Sequence, residues 1–377
     1  MARSTEAAAA RRPIKIWDLE SQFEEEKDEL LPAVTAVLKR GDFIGGDAVA
    51  ELEAGLAKRI GVAHAVALNS GTDALYLALR VLEIGPGDEV ITPPNSFVAS
   101  TATIVQAGAT PVFVDVREDQ NIDPALVEAA ITPKTKAIMV VHMGGRIAAM
   151  NEINEIAKRH GLKVIEDAAQ SCGSMYHGKV AGSLGDIGCF SAHPLKNMNA
   201  CGDAGYMTLH DGAMAARARL LRNHGLVDRN TVQEWGVNSR LDTMQAAVLN
   251  IRLKNLDSVI ERKRANVALY RSLLSEKHVF IPPCRNYEFN TFVLLVVQVD
   301  RRDELQKFMA SRGIGTAIHY PIPIHLQPAA AALGHKRGDF PTVERQAGRI
   351  LSIPVHPYLT EDEVRTVAAT INEFFGV

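Results

Sequence analysis

Short apolar runs rich in Val and Ile recur along the first two-thirds of the chain, at residues 64–68, 89–92, 111–116, 136–141, 162–166, 187–191 and 205–209. They are hydrophobic on both faces instead of alternating, as strands of a mainly parallel sheet covered by helices must be. Amphipathic segments at 73–82, 125–130, 151–160 and 212–223 lie between or after them. Each is long enough to cross over and return the next strand in parallel. The pattern predicts an α/β core.

A strongly charged stretch, 241–274, reads as one long helical segment, broken at most once, that links two domains. Beyond Pro282 the pattern changes to an apolar strand at 291–299, a helix at 302–312 and a Pro- and His-rich passage at 319–328. A final helix starts at Thr360, where Thr360 and Glu363 have capping-box spacing. A chain of 377 residues exceeds what one core usually organises. The expected division is a tail at 1–12, a large domain at 13–255 and a small α+β domain at 256–377.

Composition narrows the function classes. A net charge of -3 provides no field to hold nucleic acid or an anionic membrane, so small molecules are the expected partners. No run approaches the roughly 18 apolar residues of a membrane span, and the alanines at 7–10 are too few for a signal-peptide core. Cys172, Cys189, Cys201 and Cys284 have neither CxxC spacing nor histidine company. That pattern predicts no metal site, free thiols and a cytoplasmic location.

Three places could carry chemistry. Asn69-Ser70-Gly71-Thr72-Asp73 follows a strand and opens a helix. Glycine lets backbone N–H groups approach a ligand and a helix start favours an anion such as phosphate, although the same residues can form a plain cap that binds nothing. Glu166-Asp167-Ala168-Ala169-Gln170 ends a strand, and the carboxyl ends of strands face the ligand crevice of an α/β sheet. A carboxylate there suits a cationic ring nitrogen, and strand alternation sends Glu166 and Asp167 to opposite faces. An acidic pair at a strand end can equally be a solvated turn. Lys196, within Phe190-Ser191-Ala192-His193-Pro194-Leu195-Lys196-Asn197, lies in a loop between two apolar strands. Partial burial there would lower its pKa toward that of a usable nucleophile. Taken singly, it is one loop lysine among many.

Together with Asn238-Ser239-Arg240-Leu241-Asp242 and His319-Tyr320, these motifs, in this order, resemble the DegT/DnrJ/EryC1/StrS sugar aminotransferases, within the fold-type I pyridoxal-phosphate (PLP) enzymes. The resemblance runs from about Ile16 to the C-terminus. It implies a large PLP-binding α/β domain with a smaller C-terminal one, and PLP carried as a Schiff base on Lys196. Asp167 would pair with the ring nitrogen, Gln170 lie near the phenolic oxygen and Phe97 stack on the ring. Ser70, Gly71, Thr72 and Ser191 would hold the phosphate, with Asn238 reaching it from the other subunit of a homodimer. His193, beside Lys196, and His319 with Tyr320 would meet substrate, although either histidine can equally serve a local hydrogen bond.

PLP is an electron sink only while its ring nitrogen keeps a proton, which an ionised Asp167 in a dry site favours. Lys196, once released from the Schiff base, can shuttle a proton between cofactor and substrate carbons. The expected reaction is ping-pong: an amino acid, glutamate above all, passes its amine through pyridoxamine phosphate to a keto-sugar, nucleotide-linked in the preferred version. A keto-octulosonate or keto-cyclitol acceptor would use the same residues. A family relative with histidine at the lysine position performs dehydration, a branch disfavoured by Lys196. A regulatory homologue without chemistry should lack the lysine or the aspartate, and both are present. A Rossmann dehydrogenase is weaker still, since no GxGxxG follows the first strand.

One segment departs from the family pattern. Where members often read His-Leu-Tyr-Gly-x-Pro-x-Asp-Met, this chain reads His142-Met143-Gly144-Gly145-Arg146-Ile147-Ala148-Ala149-Met150, without the aromatic and the acid. Arg146 is a candidate for a substrate carboxylate or phosphate, or else a solvated loop arginine.

Overall fold

The computed structural model describes residues 12–377, so the expected tail, apart from Arg12, lies outside them. Across the main sheet the strands run His64–Leu68, Gly205–Leu209, Ile187–Ser191, Lys163–Asp167, Thr135–Val141, Glu89–Thr92 and Thr110–Phe113. Each expected apolar run holds one of them. The run at 111–116 stops pairing at Phe113, and the Asp115 carboxylate beyond it accepts from Thr342 N (2.9 Å) and Val343 N (3.0 Å) of the C-terminal part.

Four pairings are parallel. Both pairings of Gly205–Leu209 are antiparallel. This corrects the expectation of successive parallel returns: the 192–204 connection contains no crossover helix, so the chain doubles back. The sheet is buried on both sides. Ile138, Val140 and Val164 pack with helices Gly46–Ile60, Met150–His160 and part of Thr243–Leu273. Met139, Ile165 and Ile187 pack with Gly71–Val81, Val98–Gln106 and Gly212–Leu221 on the other.

Two helices, Leu19–Arg40 and Gly46–Ile60, precede the first strand. The apolar pattern gave no sign of the first because Phe23, Leu31 and Leu38 stay exposed and Pro32 interrupts it.

Helix Thr243–Leu273 runs unbroken across the expected boundary at 255/256. Its Leu249 and Leu256 join the large core, whereas Val267 and Tyr270 join the small one. The small core is built on an antiparallel sheet, Val279–Phe280, Leu295–Val299 and Ile350–Ile353, with helices Arg302–Ser311 and Glu361–Phe375 against it. Ile14 pairs with Ile314 and is buried in this core. The capping box at Thr360 and Glu363 is formed. The strand expected from 291 begins only at Leu295. Thr291 N is committed to the Gly145 carbonyl (3.2 Å), and Phe292 is left-handed at φ 47°. Among the described residues no helix is long and apolar enough to cross a membrane.

Candidate active site

A cavity of roughly 390 Å³ opens at the carboxyl ends of Lys163–Asp167 and Ile187–Ser191, walled by the small domain. One edge is the start of helix Gly71–Val81. Ser70 caps it, its hydroxyl accepting from Asp73 N at 3.0 Å. The helix start lies close against the strands because two side chains are missing. A Cβ on Gly71 would lie 2.7 Å from Ser191 Cβ, and one on Gly205 would lie 2.3 Å from the Ser70 carbonyl carbon. First-turn N–H groups have no intrahelical acceptor, and the helix dipole adds positive potential, so Gly71, Thr72 and Ser191 frame an anion cradle.

Asp167 and Lys196 face the same cavity. Asp167 is 5% exposed; its Oδ2 accepts from Ser100 Oγ at 2.6 Å and its Oδ1 from Ala169 N at 3.2 Å. Burial raises its pKa above the ordinary carboxylate value, opposed by those two bonds and by the charge of Lys196. Burial also lowers the Lys196 amine from 10.5 to about 8, with Asp167 pulling it back up. Glu166 points to the opposite face, as strand alternation predicts. It is fully buried and accepts from Gly182 N, Leu184 N, Gly185 N and His142 Nε2 at 2.7–2.9 Å. His142 Nδ1 accepts from Ala148 N, so the imidazole proton sits on Nε2, toward Glu166. Neither acid is a solvated turn.

Gln170 accepts from Gly144 N at 2.8 Å and donates to the Tyr320 hydroxyl at 3.5 Å. Phe97 precedes helix Val98–Gln106, remains 55% exposed inside the cavity and lies 5.9 Å, centroid to centroid, from Tyr320. Burial lifts the Tyr320 phenol to about 12, with Asp167 adding to it, so it keeps its proton. His319 shares a 2.8 Å hydrogen bond with Ser352 Oγ, and burial, aided by Lys196, drops its pKa to about 4. It is a neutral imidazole near pH 7. His193 is exposed at the rim, its Nδ1 accepting from Leu195 N at 3.3 Å.

The model of the DegT/DnrJ/EryC1/StrS aminotransferase family matches residues 24–372. The chain belongs to this aminotransferase family. It is 42% identical over 366 residues to the pleiotropic regulatory protein of Geobacillus stearothermophilus, covering 96% of this chain and 98% of that one. It is 41% identical over 373 residues to the dTDP-3-amino-3,4,6-trideoxy-alpha-D-glucose transaminase of Streptomyces venezuelae, covering 98% of each. The structure of S. venezuelae DesV in complex with a ketimine intermediate, 41% identical, matches with a TM-score of 0.94 over 96% of this chain and 98% of that one. The fold is that of the PLP aminotransferases.

Two residues expected at the site stand outside the aminotransferase cavity. Arg146 is 7% exposed, paired with Glu288 and donating to the Pro282 carbonyl at 2.9 Å. This corrects the solvated reading and sets the guanidinium outside this cavity: it ties the 142–150 segment to the 282–288 loop. Asn238 is exposed and lines none of this cavity; its carbonyl accepts from Asn69 Nδ2 at 3.5 Å.

The structure also adds residues that the motifs missed. Ser100 holds Asp167, and its place in the first turn of the helix that Phe97 precedes was an available signal. Trp17 lines the cavity in edge contact with His319, 6.1 Å between centroids. It comes from a segment before any predicted element and carried no signal.

Proposed function

We propose that this protein is a PLP-dependent sugar aminotransferase that carries its cofactor on Lys196 and moves an amine from glutamate to a nucleotide-linked keto-sugar. The observation that carries the reading is one cavity lined together by a half-buried amine, a buried carboxylate and an open helix start. The donor set fits the cofactor. The close packing that Gly71 and Gly205 allow brings the helix start beside Ser191 at the cavity edge, where a phosphate would meet it, the exposed Phe97 ring has the area to cover an aromatic ring, and Asp167 is the counter-charge for a ring cation.

When bound, PLP supplies an aldehyde carbon that takes up an amino group and a protonated ring that stores an electron pair. The residues of the chain do the rest. Lys196, its pKa lowered to about 8, would be nucleophilic enough to anchor the cofactor and, once released, basic enough to move a proton to or from the substrate carbon. Asp167, braced by Ser100 and Ala169, would keep the ring nitrogen protonated. Gln170 would hold the phenolic edge. Gly71, Thr72 and Ser191, with the Ser70 cap, would hold the phosphate, and Asn238 would complete that grip in the partner of a homodimer. Tyr320 and neutral His319, with His193 at the rim, orient the acceptor and exclude water.

The preference for a nucleotide-linked acceptor is supported by the Streptomyces venezuelae relative, whose name specifies a dTDP-linked 3-amino sugar. Lys196→Ala should lose both turnover and the visible absorbance of the cofactor-loaded protein; a variant that keeps its colour would move the anchor elsewhere. Initial rates with donor and acceptor both varied should give parallel lines. Intersecting lines, or no product from any dTDP- or UDP-linked keto-sugar by mass spectrometry, would sink the reading.

A further inference from the structure

A buried lysine lies behind Lys196 and takes no part in the chemistry above. Lys263 projects from helix Thr243–Leu273 and is 5% exposed. Its Nζ donates to Asn197 Oδ1 at 2.7 Å, to the Val293 carbonyl at 3.2 Å and to the Phe292 carbonyl at 3.5 Å. All three acceptors are neutral, and among the described residues no carboxylate acts on its charge. Burying an ammonium without a counter-ion is costly. A methionine would fill the same space without that cost, so what the lysine adds is its three N–H bonds.

Those bonds join two pieces of the active site. Asn197 directly follows Lys196, and its Nδ2 donates to the Thr291 carbonyl at 3.1 Å. Lys263 and Asn197 thereby lace the Lys196 loop to residues 291–293, just where Val293 and Leu294 form the cavity wall. The same segment is gripped from its other side. Ser174 Oγ reaches the Gly145 carbonyl at 2.7 Å and Thr291 Oγ1 at 2.9 Å, and Thr291 N donates to Gly145. Phe292, at φ 47°, has a backbone conformation that a bulky side chain keeps only where its surroundings over-determine it.

Across a small hollow, Lys263 faces Lys196 from the loop, Asp18 from the N-terminal segment, and His356 and Tyr358 from the C-terminal segment. Asp18 is already engaged by Ser21, Lys15 and Arg12. Burial lowers the His356 pKa, with Lys263 pushing the same way and Asp18 and Glu363 opposing, and burial raises that of the Tyr358 phenol.

We propose that Lys263 is a positioning residue of the aminotransferase: through Asn197 and the 292 and 293 carbonyls it holds Lys196 in register with the cavity wall, and deprotonation loosens that hold. The inference rests on Lys196 being the reacting lysine. Burial brings the Lys263 pKa down to about 7, so the three-donor ammonium prevails below that pH and the two-donor amine above it. The clamp is therefore complete on the acid side and weaker on the alkaline side, the reverse of the nucleophilic form of Lys196.

The test is amide hydrogen exchange by mass spectrometry on the full-length protein, with and without PLP, for wild type, Lys263→Met and Lys263→Gln, alongside kcat and KM. Protection factors of residues 192–200 and 291–294 should fall in wild type between about pH 6 and about pH 8, either side of the Lys263 pKa. In Lys263→Met they should be low at both pH values. Its kcat should fall about 10- to 100-fold, with donor KM changed much less. Lys263→Gln, which restores neutral donors, should regain most of the protection and lose the pH step. The proposal is overturned if the Met variant keeps wild-type protection in both segments. It is equally overturned if protection is lost evenly along the chain, as for a plain core group, or if the pH step survives in the Gln variant. Exchange needs no substrate, so it decides the clamp even if every acceptor fails. Failure of the Lys196→Ala test would strike the function reading and, with it, the role of Lys263 toward a reacting lysine, while the exchange result on the clamp itself would stand.

Discussion

Replacing Asp167 by Asn should push two measurable steps in opposite directions. Burial lowers the Lys196 amine to about 8 while Asp167 pulls it upward. At pH 7 an amine titrating at about 8 is neutral about a tenth of the time, against about one part in three thousand at the ordinary 10.5, a gain of about 300-fold in the nucleophilic form. Asp167→Asn deletes the opposing charge and leaves burial in place, so the pKa falls further. Capture of PLP by the cofactor-free variant, followed by stopped-flow absorbance, should reach its plateau at lower pH than in wild type. Turnover moves the other way. An amide cannot hold the ring proton by charge, and losing one such stabilising group in a closed site costs on the order of 10²–10³ in kcat. The Asn oxygen can still accept from Ser100, so the site stays assembled. A wild-type capture rate that climbs without a plateau to about pH 10 would make Lys196 an ordinary solvated lysine. Identical profiles for wild type and variant would remove its coupling to Asp167.

Other outcomes are as specific. Gly205→Ala puts a Cβ 2.3 Å from the Ser70 carbonyl carbon, so the helix start must shift; urea melts should show about 1–3 kcal/mol lost and equilibrium titration a weaker grip on PLP. Phe97→Ala removes the exposed ring from the cavity; PLP affinity should fall roughly two- to tenfold with the fold unchanged by circular dichroism. Glu166→Ala strands three backbone N–H groups and His142 in a fully buried place; about 3–5 kcal/mol of stability should go, read from the urea midpoint at constant m. Arg146→Ala should destabilise similarly through Glu288 while leaving acceptor KM within about twofold in the fraction that folds; a large KM change would return it to the substrate site.

The main sheet was legible because its strands are apolar on both faces, a pattern that needs no partner to interpret. The reversal of Gly205–Leu209 was legible too, in the missing helix between Ser191 and Gly205, but only if connections are weighed as heavily as runs. Helix Leu19–Arg40 was not, because Phe23, Leu31 and Leu38 face outward and periodicity is informative only where it meets the core of the same chain. At the site, Asp167 and Lys196 were marked by strand ends and family resemblance. Ser100, Trp17 and Lys263 were not, since each acts through a contact with residues far away in the chain. Arg146 misled for the same reason: its loop position suggested water, and the partner that buries it, Glu288, lies 142 residues on.

The pairing of Ile14 with Ile314 also sets a timetable. On the ribosome the large sheet can assemble as its strands emerge, but Ile14 has nowhere to dock until the small core exists, which requires side chains as late as Ile371. Trp17, only three residues after Ile14, is therefore among the last pieces of the cavity wall to arrive although it is made long before the residues that hold it. A nascent chain stalled just short of its final helix could have a formed sheet and a placed lysine, yet would still have an open reaction chamber.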